Sequence, residues 1–136
     1  MRRELYLALG LFLLPCAEAS AEMQQFAVPL SGKSEVPPNP SEGSGVANIV
    51  VDTDARTIAW TITAQSLSGD ATAAHFHGPA DPGQNAGPIV DISQSIAQGQ
   101  AALTEQQLAD LLAGKVYINI HTARYPDGEL RGQIAK

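Results

Sequence analysis

Short runs of alternating hydrophobic and polar residues, separated by turn residues, make up most of the chain after its first two dozen positions. The clearest run is 56–64, where every second residue from Ile58 to Ala64 is apolar and threonines occupy most of the positions between them. Side chains along a β-strand point alternately to its two faces, so this pattern predicts a strand with one buried face. Trp60, the only tryptophan, lies on the apolar side and is expected to anchor the core.

Comparable runs predict about eight strands, at 24–30, 46–51, 56–64, 71–77, 89–92, 100–103, 116–121 and 129–134. Pro29 lacks a backbone N–H, which favours an edge strand or a bulge for the first of them. One short helix is predicted after Leu103, because Thr104 and Gln107 have the spacing of a capping box and Gly114 can end the helix. Many short strands with turns between them are typical of an all-β sandwich or barrel.

The N-terminal residues have the features of a secretory signal peptide. Arg2 and Arg3 precede an apolar run at 5–14 that is too short to span a bilayer, and Ala19-Ser20-Ala21 has the A-x-A form of a cleavage site. We therefore expect a signal peptide at 1–21 and a periplasmic or secreted protein with no membrane association after cleavage.

The remaining chain, 22–136, is about 115 residues long, which is enough for one domain with one core. The only cysteine, Cys16, lies within the predicted signal, so the mature domain has neither a disulfide nor thiol chemistry. Lipidation of Cys16 is an alternative to simple cleavage, although Pro15 directly before it fits a lipoprotein signal poorly.

The formal charge of −6 limits the classes of partner. The predicted signal contains two basic and two acidic residues, so the mature domain keeps the same net charge. An acidic domain lacks the lysine and arginine surface that neutralises phosphates. Nucleic acid and anionic membranes are therefore not expected as partners.

The three histidines are the strongest candidates for chemistry. His75 and His77 lie two residues apart on one predicted strand, so their imidazoles share a face. His121 ends another strand and points away from its apolar side. Neutral imidazole binds zinc, copper, iron or nickel, and three such ligands leave a position for water or substrate. With no sulfur ligand or carboxylate nearby, the set favours one copper ion; a solvated His-x-His pair is the alternative.

Two acidic pairs have weaker patterns. Asp52 and Asp54 occur in some calcium sites, but without further oxygen ligands they indicate a turn. Asp127 and Glu129 lie between His121 and Arg131, where they can orient a histidine or the arginine, or belong to a solvated turn. No nucleophile elbow or phosphate-binding glycine loop occurs in the sequence.

Several motifs together resemble a CHRD (chordin-type) domain. They are the segments 30–32 with 35–38, 72–80 (TAAHFHGPA), 103–104 with 111–114, 117–122 (YINIHT) and 126–134 (PDGELRGQI). The resemblance covers almost the whole predicted mature chain. CHRD domains in turn resemble the copper/zinc superoxide dismutase fold, which implies a Greek-key β-sandwich of about eight strands with one short helix.

The dismutase resemblance also implies roles for individual residues. His75, His77 and His121 correspond to copper ligands, and Arg131 to a catalytic cation that guides superoxide. Segment 80–88 contains no histidine, so no zinc site of the dismutase type is expected, and the segment between His121 and Arg131 is shorter than its counterpart. The implied function is copper handling or copper-only superoxide dismutation, with the metal ion and superoxide as partners. The alternative is a non-catalytic extracellular interaction module without bound metal.

Overall fold

The computed structural model describes residues 21–136. The predicted signal peptide, except for its last residue, lies outside the described residues and stays a prediction. Within 21–136, no helix combines the length and apolar character needed to cross a membrane.

The described chain is built from eight strands and one short α-helix. The strands are β1 Met23–Ser31, β2 Ser44–Asp52, β3 Thr57–Gln65, β4 Ala71–His77, β5 Pro88–Asp91, β6 Gln98–Ala102, β7 Val116–Thr122 and β8 Leu130–Ile134. The helix α1 spans Glu105–Leu112, and Thr104 and Gln107 form the predicted capping box. Every predicted strand is present with its ends shifted by no more than two residues, so the all-β prediction is confirmed.

The strands pair in the order β5-β4-β7-β8-β1-β2-β3-β6. Strands β8 and β1 share only one register pair, Ser31 with Arg131, so the sheet divides there into two four-stranded layers. Trp60 of β3 and Phe76 of β4 are far apart in this order, yet their ring centroids are 5.6 Å apart. The two layers therefore face each other as a sandwich. The order β8-β1-β2-β3, in which three hairpin-connected strands lie beside one that returns from far along the chain, is a Greek key.

The core between the layers consists of the inward-pointing residues of both. Ile58, Trp60 and Ile62 of β3 are all buried, as their alternation predicts. The Trp60 indole Nε1 donates to the carbonyl oxygen of Ser95 at 2.9 Å, so the ring is buried without an unsatisfied N–H.

The prediction that Pro29 marks an edge strand is wrong. Strand β1 lies inside the sheet order, and all its residues are in register with β2. On its other side β1 lies close to β8, but Ser31 is its only residue in register with that strand, so Pro29 falls where pairing on that side is nearly absent.

The two outward faces of the sandwich differ in what overlies them. The outward side of β4, β7 and β8, which we call the covered face, carries His75, His77, Tyr117, Asn119, His121, Arg131 and Gln133. Segments 78–88 and 35–39 and the turn 123–129 contact its side chains. The outward side of β1, β2, β3 and β6, which we call the bare face, carries Gln25, Ala27, Val46, Asn48, Val50, Ala59, Thr61, Thr63, Gln98 and Gln100.

Candidate metal centre

Strand pairing brings the three histidines together on the covered face. Strands β4 and β7 are antiparallel neighbours, and Ala73 and His75 are in register with His121 and Asn119. The intervening residues, among them Phe76 and Ile120, are buried in the core, so the histidines point outward. The clustering that the strand patterns left open is therefore present.

The spacing of the imidazole nitrogens fits a shared ligand. Nδ1 of His75 lies 3.1 Å from Nε2 of His121, and one nitrogen from each of the three rings lies within 4.8 Å of the others. Two nitrogens that bind one ion at about 2.0 to 2.1 Å are about 2.9 to 3.6 Å apart. The first pair already has this separation, and small rotations of the third side chain complete the set.

Backbone carbonyls fix the tautomers of two of the rings. His77 Nδ1 lies 2.9 Å from the oxygen of Ala86, and His121 Nδ1 lies 2.8 Å from the oxygen of Pro126. A carbonyl only accepts, so each Nδ1 carries the hydrogen, and in the neutral ring Nε2 is left unprotonated. Both Nε2 atoms face the other side chains of the cluster. A hydrogen bond from the second ring nitrogen to a carbonyl is the arrangement that orients histidine ligands of metals.

His75 is oriented in the opposite sense. Its Nε2 lies 3.7 Å from a carboxylate oxygen of Asp91, which is itself held by Ser93, and its Nδ1 faces His121. Because Nε2 of His121 is an acceptor, the hydrogen bond of 3.1 Å between the two rings has its hydrogen on His75 Nδ1. To bind a metal through Nδ1, His75 must carry its hydrogen on Nε2, the nitrogen that faces the Asp91 carboxylate.

Burial keeps two of these rings in the neutral form. It lowers the pKa of His75, and the neighbouring His121 adds to that effect while Asp91 opposes it. It also lowers the pKa of His77, against the hydrogen bonds to Ala86 and Asn119. At neutral pH both imidazoles are therefore in the form that binds a metal.

Asn119 is a fourth polar residue in the cluster that sequence reasoning did not assign. Its Oδ1 lies 2.9 Å from Nε2 of His77 and 3.0 Å from Nε2 of His121, and the residue is 3% exposed. The available signal was its position two residues before His121 on the same polar face of the strand. When the rings are neutral, the cluster therefore has three acceptor atoms, Nε2 of His77 and of His121 and Oδ1 of Asn119, and one donor, Nδ1 of His75.

Glu35 lies behind Asn119 and was also missed, because it belongs to a loop distant in sequence. It is 7% exposed, and its Oε1 has no hydrogen-bond partner among the described residues. Burial raises the pKa of Glu35 to about 7, although the charge of Arg131 and the amide of Asn119 oppose the rise. Gly128 leaves the space for this pair, since a Cβ there would collide with Glu35 Oε1.

Segments 78–88, 35–39 and 123–129, which overlie the covered face, are together called the cover. Arg131, the predicted catalytic cation, is packed beneath the cover rather than presented to solvent. It is 1% exposed, and its guanidinium carbon lies 3.5 Å from the ring centroid of Tyr117. The guanidinium donates to the oxygen of Gln84 at 2.8 Å and to Oδ1 of Asn85 at 3.1 Å. The catalytic role stays a prediction, while the contacts give Arg131 a part in holding segment 78–88 over the face.

The aromatic ring of Tyr117 connects Arg131 to the histidines. It stacks parallel to the imidazole of His77, with centroids 4.8 Å apart and 2° between the planes. Strands β4 and β8 lie on opposite sides of β7, so Tyr117 is held between His77 and the guanidinium. The stack limits rotation of His77 and keeps its Nε2 directed at the cluster.

The acidic pairs have structural positions. Glu129 is fully buried, and its carboxylate accepts from Ser41, Ser68 and Thr122, so it is not in a solvated turn. Burial raises its pKa, but these hydrogen bonds outweigh that effect and lower it. Asp52 accepts from the backbone N–H groups of Asp54 and Ala55, which is the geometry of a turn.

The fold and the cluster define a Greek-key β-sandwich that carries three histidines on the covered face of one layer. The family model of the CHRD domain matches residues 26–134, and the chain belongs to that family. CHRD domains occur in extracellular proteins. Comparison with curated proteins gives no match, and neither does comparison with solved structures.

Proposed function

We propose that this chain is an exported CHRD-domain protein that binds one copper ion through His75, His77 and His121 and acts in copper handling outside the cytoplasm. The observation that carries the proposal is the convergence of three imidazole nitrogens, two of which have their lone pair fixed by a carbonyl on the opposite side of the ring. In the metal-free cluster, Nε2 of His77 and Oδ1 of Asn119 face each other as acceptors. A bound metal ion satisfies both.

The donor set supports copper over the other metals that imidazole binds. Copper has the highest intrinsic affinity of the divalent series for nitrogen ligands. The carboxylate of Asp91 lies 3.7 Å from Nε2 of His75, the ring nitrogen that faces away from the converging atoms. When bound, copper supplies one-electron redox chemistry, and the protein's own groups bind and orient it.

Charge and access favour copper handling over superoxide dismutation. Superoxide is an anion, and attraction toward a site requires positive potential near its entrance. The chain has a formal charge of −6, and Arg131 is buried with its donors engaged. The His75 side chain is 22% exposed, so the ion remains reachable from solvent for transfer to a partner.

The direct test is copper binding by the metal-free domain. One equivalent of Cu(I) or Cu(II) is added, and affinity is measured by competition for wild type and for His75→Ala, His77→Ala and His121→Ala. Each variant is expected to lose about 100-fold or more in affinity, since removing even an outer partner of a ligand costs about 10- to 100-fold. Gln100→Ala on the bare face serves as the control. Equal affinity in all three histidine variants would show that the site does not exist.

The pH dependence of binding provides a second check. Protons compete with the metal for each imidazole, so affinity falls as the pH drops through the folded-state pKa values. The pKa values of His75 and His77 are lowered from 6.5 by burial, so proton competition at these two ligands should set in only as the pH falls below 6.5. A decline centred above pH 7 would contradict imidazole ligation.

A superoxide assay separates handling from dismutation. The copper-loaded protein is compared with an equal concentration of free copper. If the protein does not remove superoxide faster, handling stands and dismutation is rejected. A faster rate that Arg131→Met leaves unchanged would assign the activity to the copper site without a guiding cation.

A non-catalytic interaction module is the second candidate, and the bare face favours it. The ten named residues are uncharged and Val46 among them is 42% exposed, although the chain as a whole is acidic and one charged residue, Asp52, lies at the end of β2 on the same side. Sedimentation of the metal-free protein with and without Thr61→Lys tests the simplest form, self-association through this face. A monomer in both cases would remove that form.

A further inference from the structure

We infer that the side-chain oxygen of Asn119 is a fourth donor to the metal, which makes the site an N3O set selective for Cu(II) over Cu(I). This inference rests on the proposed function and specifies the site further. It is drawn from where the amide oxygen lies and from the absence of a hydrogen that it can accept.

The position of Asn119 is fixed by the strand that carries it. Ile118 and Ile120 on either side are buried in the core, so the amide must point into the covered face. Its register partners are His75 on β4 and Arg131 on β8. The side chain therefore lies at the centre of the polar face, between the histidines and the arginine.

Separation from the imidazoles places Oδ1 in a coordination shell. Its distances of 2.9 and 3.0 Å to Nε2 of His77 and His121 match the distance between two ligands of one ion at about 2.0 to 2.1 Å. The 3.1 Å between His75 Nδ1 and His121 Nε2 belongs to the same range. One ion can contact all four atoms after small side-chain rotations.

Hydrogen-bond counting shows why a cation is needed there. A neutral imidazole has one N–H, and His77 and His121 direct theirs to Ala86 and Pro126. Both Nε2 atoms are then acceptors facing a third acceptor, Oδ1. The hydrogen on His75 Nδ1 serves Nε2 of His121 at 3.1 Å, which leaves Nε2 of His77 and Oδ1 facing each other without a donor. Buried acceptors without a donor are costly, and a metal ion satisfies all of them at once.

The opposite end of the amide has a reason for its orientation. Nδ2 of Asn119 lies on the side of Glu35 and Gly128, where Oε1 of Glu35 has no hydrogen-bond partner among the described residues. A donor is required on that side, so the oxygen is directed to the imidazoles. Glu35 therefore acts as a positioning residue for Asn119 and does not contact the proposed ligand atoms.

The chemistry of the fourth donor sets the selectivity. Carboxamide oxygen is a hard ligand that suits Cu(II), whereas Cu(I) prefers soft ligands. Three imidazoles bind both oxidation states, so removal of the oxygen should weaken Cu(II) binding more than Cu(I) binding. The reduction potential of the bound copper then rises.

The experiment compares Asn119→Ala and Asn119→Asp in the full domain. We expect Asn119→Ala to lose about tenfold in Cu(II) affinity and less than about threefold in Cu(I) affinity. A tenfold loss confined to Cu(II) raises the one-electron potential by about 59 mV. The Cu(II) electron paramagnetic resonance spectrum should change with it. Asn48→Ala, an exposed asparagine on the bare face, is the matched control.

Asn119→Asp separates a ligand role from a structural one. Aspartate keeps an oxygen toward the metal but loses the N–H that faces Glu35. A ligand role predicts Cu(II) affinity at or above that of wild type, whereas a structural role through Glu35 predicts the same loss as in Asn119→Ala. Where two neighbouring carboxyls prevent folding, the double variant Asn119→Asp with Glu35→Gln restores a donor on that side.

The outcomes distinguish this inference from the proposed function. Loss of copper in the histidine variants, with wild-type affinity, spectrum and potential in Asn119→Ala, would overturn the fourth donor and leave the three-histidine site intact. If Nδ2 of Asn119 faces the imidazoles instead of Oδ1, Asn119→Ala should likewise keep the copper affinity, spectrum and potential of wild type. Absence of copper binding in wild type would overturn both.

Discussion

The covered and bare faces both lie on strands whose side chains alternate between the core and the exterior, but the two faces use polar residues differently. On the bare face, asparagine, glutamine and threonine side chains such as Thr61 and Gln98 are exposed and can bond to water. On the covered face, Asn119 and Arg131 are 3% and 1% exposed and depend on protein partners. An exposed polar side chain can be substituted at little cost, because water binds the groups that it leaves. Substitution of a buried polar side chain leaves its hydrogen-bond partner unpaired inside the protein.

This difference explains how a sheet exterior can hold a candidate metal centre. Segment 78–88 and the turn 123–129 contribute the carbonyls of Ala86 and Pro126, which orient His77 and His121. The same segments exclude water, which lowers the pKa of His77 and keeps its ring neutral. The strands supply the ligands, and the cover sets their tautomer and charge.

The strongest test of the contrast is removal of the guanidinium that holds the cover. Arg131→Met keeps much of the side-chain volume but leaves Gln84 O, Asn85 Oδ1 and Gln133 Oε1 without their donor. The expected loss is about 3 to 5 kcal/mol in the free energy of unfolding, measured with urea. Arg124→Met is the matched control, because Arg124 is exposed, and it should cost less than about 1 kcal/mol. Equal effects of the two substitutions would contradict the structural role of Arg131.

The pH dependence of stability tests the buried carboxyl under the cover. The pKa of Glu35 is raised by burial from 4.5 to about 7, so the folded state holds its proton more tightly than the unfolded state does. Its contribution is complete below pH 4.5 and disappears as pH rises through 7, a loss on the order of 3 kcal/mol. Glu35→Gln has no such loss, so the difference between the metal-free variant and wild type should grow in the variant's favour from pH 4.5 to 7.5.

Wild type must be compared with Glu35→Gln because the histidines change the free energy of unfolding with pH in the opposite direction. The lowered pKa values of His75 and His77 reduce stability as pH falls through 6.5, and this contribution is the same in both proteins. A difference between them that stays constant with pH would show that Glu35 titrates normally.

Gly128→Ala tests the close approach of the turn to the site. Gly128 has φ +129°, and an added Cβ would collide with Glu35 Oε1 and lie 2.9 Å from Asn119 Nδ2. Backbone strain and the collision together should cost about 2 to 3 kcal/mol. Gly83→Ala is the control, with φ +82° but no atom within 4 Å of the added Cβ, and should cost about 1 kcal/mol. Urea unfolding measures both variants. If Gly128→Ala and Gly83→Ala lower the free energy of unfolding equally, the contact with Glu35 does not destabilise the protein.

The strand content of this fold follows from sequence alternation, because burial of one face imposes a period of two. The same period correctly placed His75, His77 and His121 outside the core. Which strands become neighbours depends on pairing between residues distant in the chain, so the contact of β4 with β7 required the structure. Family resemblance supplied that expectation where local patterns did not.

The cover could not be predicted, because no local pattern describes it. Segment 78–88, with its glycines and prolines, has the composition of an exposed loop, yet it buries Arg131 and binds His77 through Ala86. Glu35 and Asn119 are 84 positions apart in the chain. The prediction that Pro29 marks an edge strand was wrong for a related reason. How far β1 pairs with β8 depends on where the two strands separate, and no local pattern describes that.

The smallest change in the free energy of unfolding is expected on the bare face. The same substitution, glutamine to lysine, can be made there and on the covered face. Gln98→Lys places a solvated charge on an exposed position of β6 and should change the free energy of unfolding by less than about 0.5 kcal/mol. Gln133→Lys on the covered face removes hydrogen bonds to Ala80 O and Gly114 O, both 2.9 Å, and puts a cation beside Arg131. It should cost about 2 kcal/mol or more. Urea unfolding of both variants measures the difference, and a cost at Gln98 as large as that at Gln133 would contradict the contrast between the two faces.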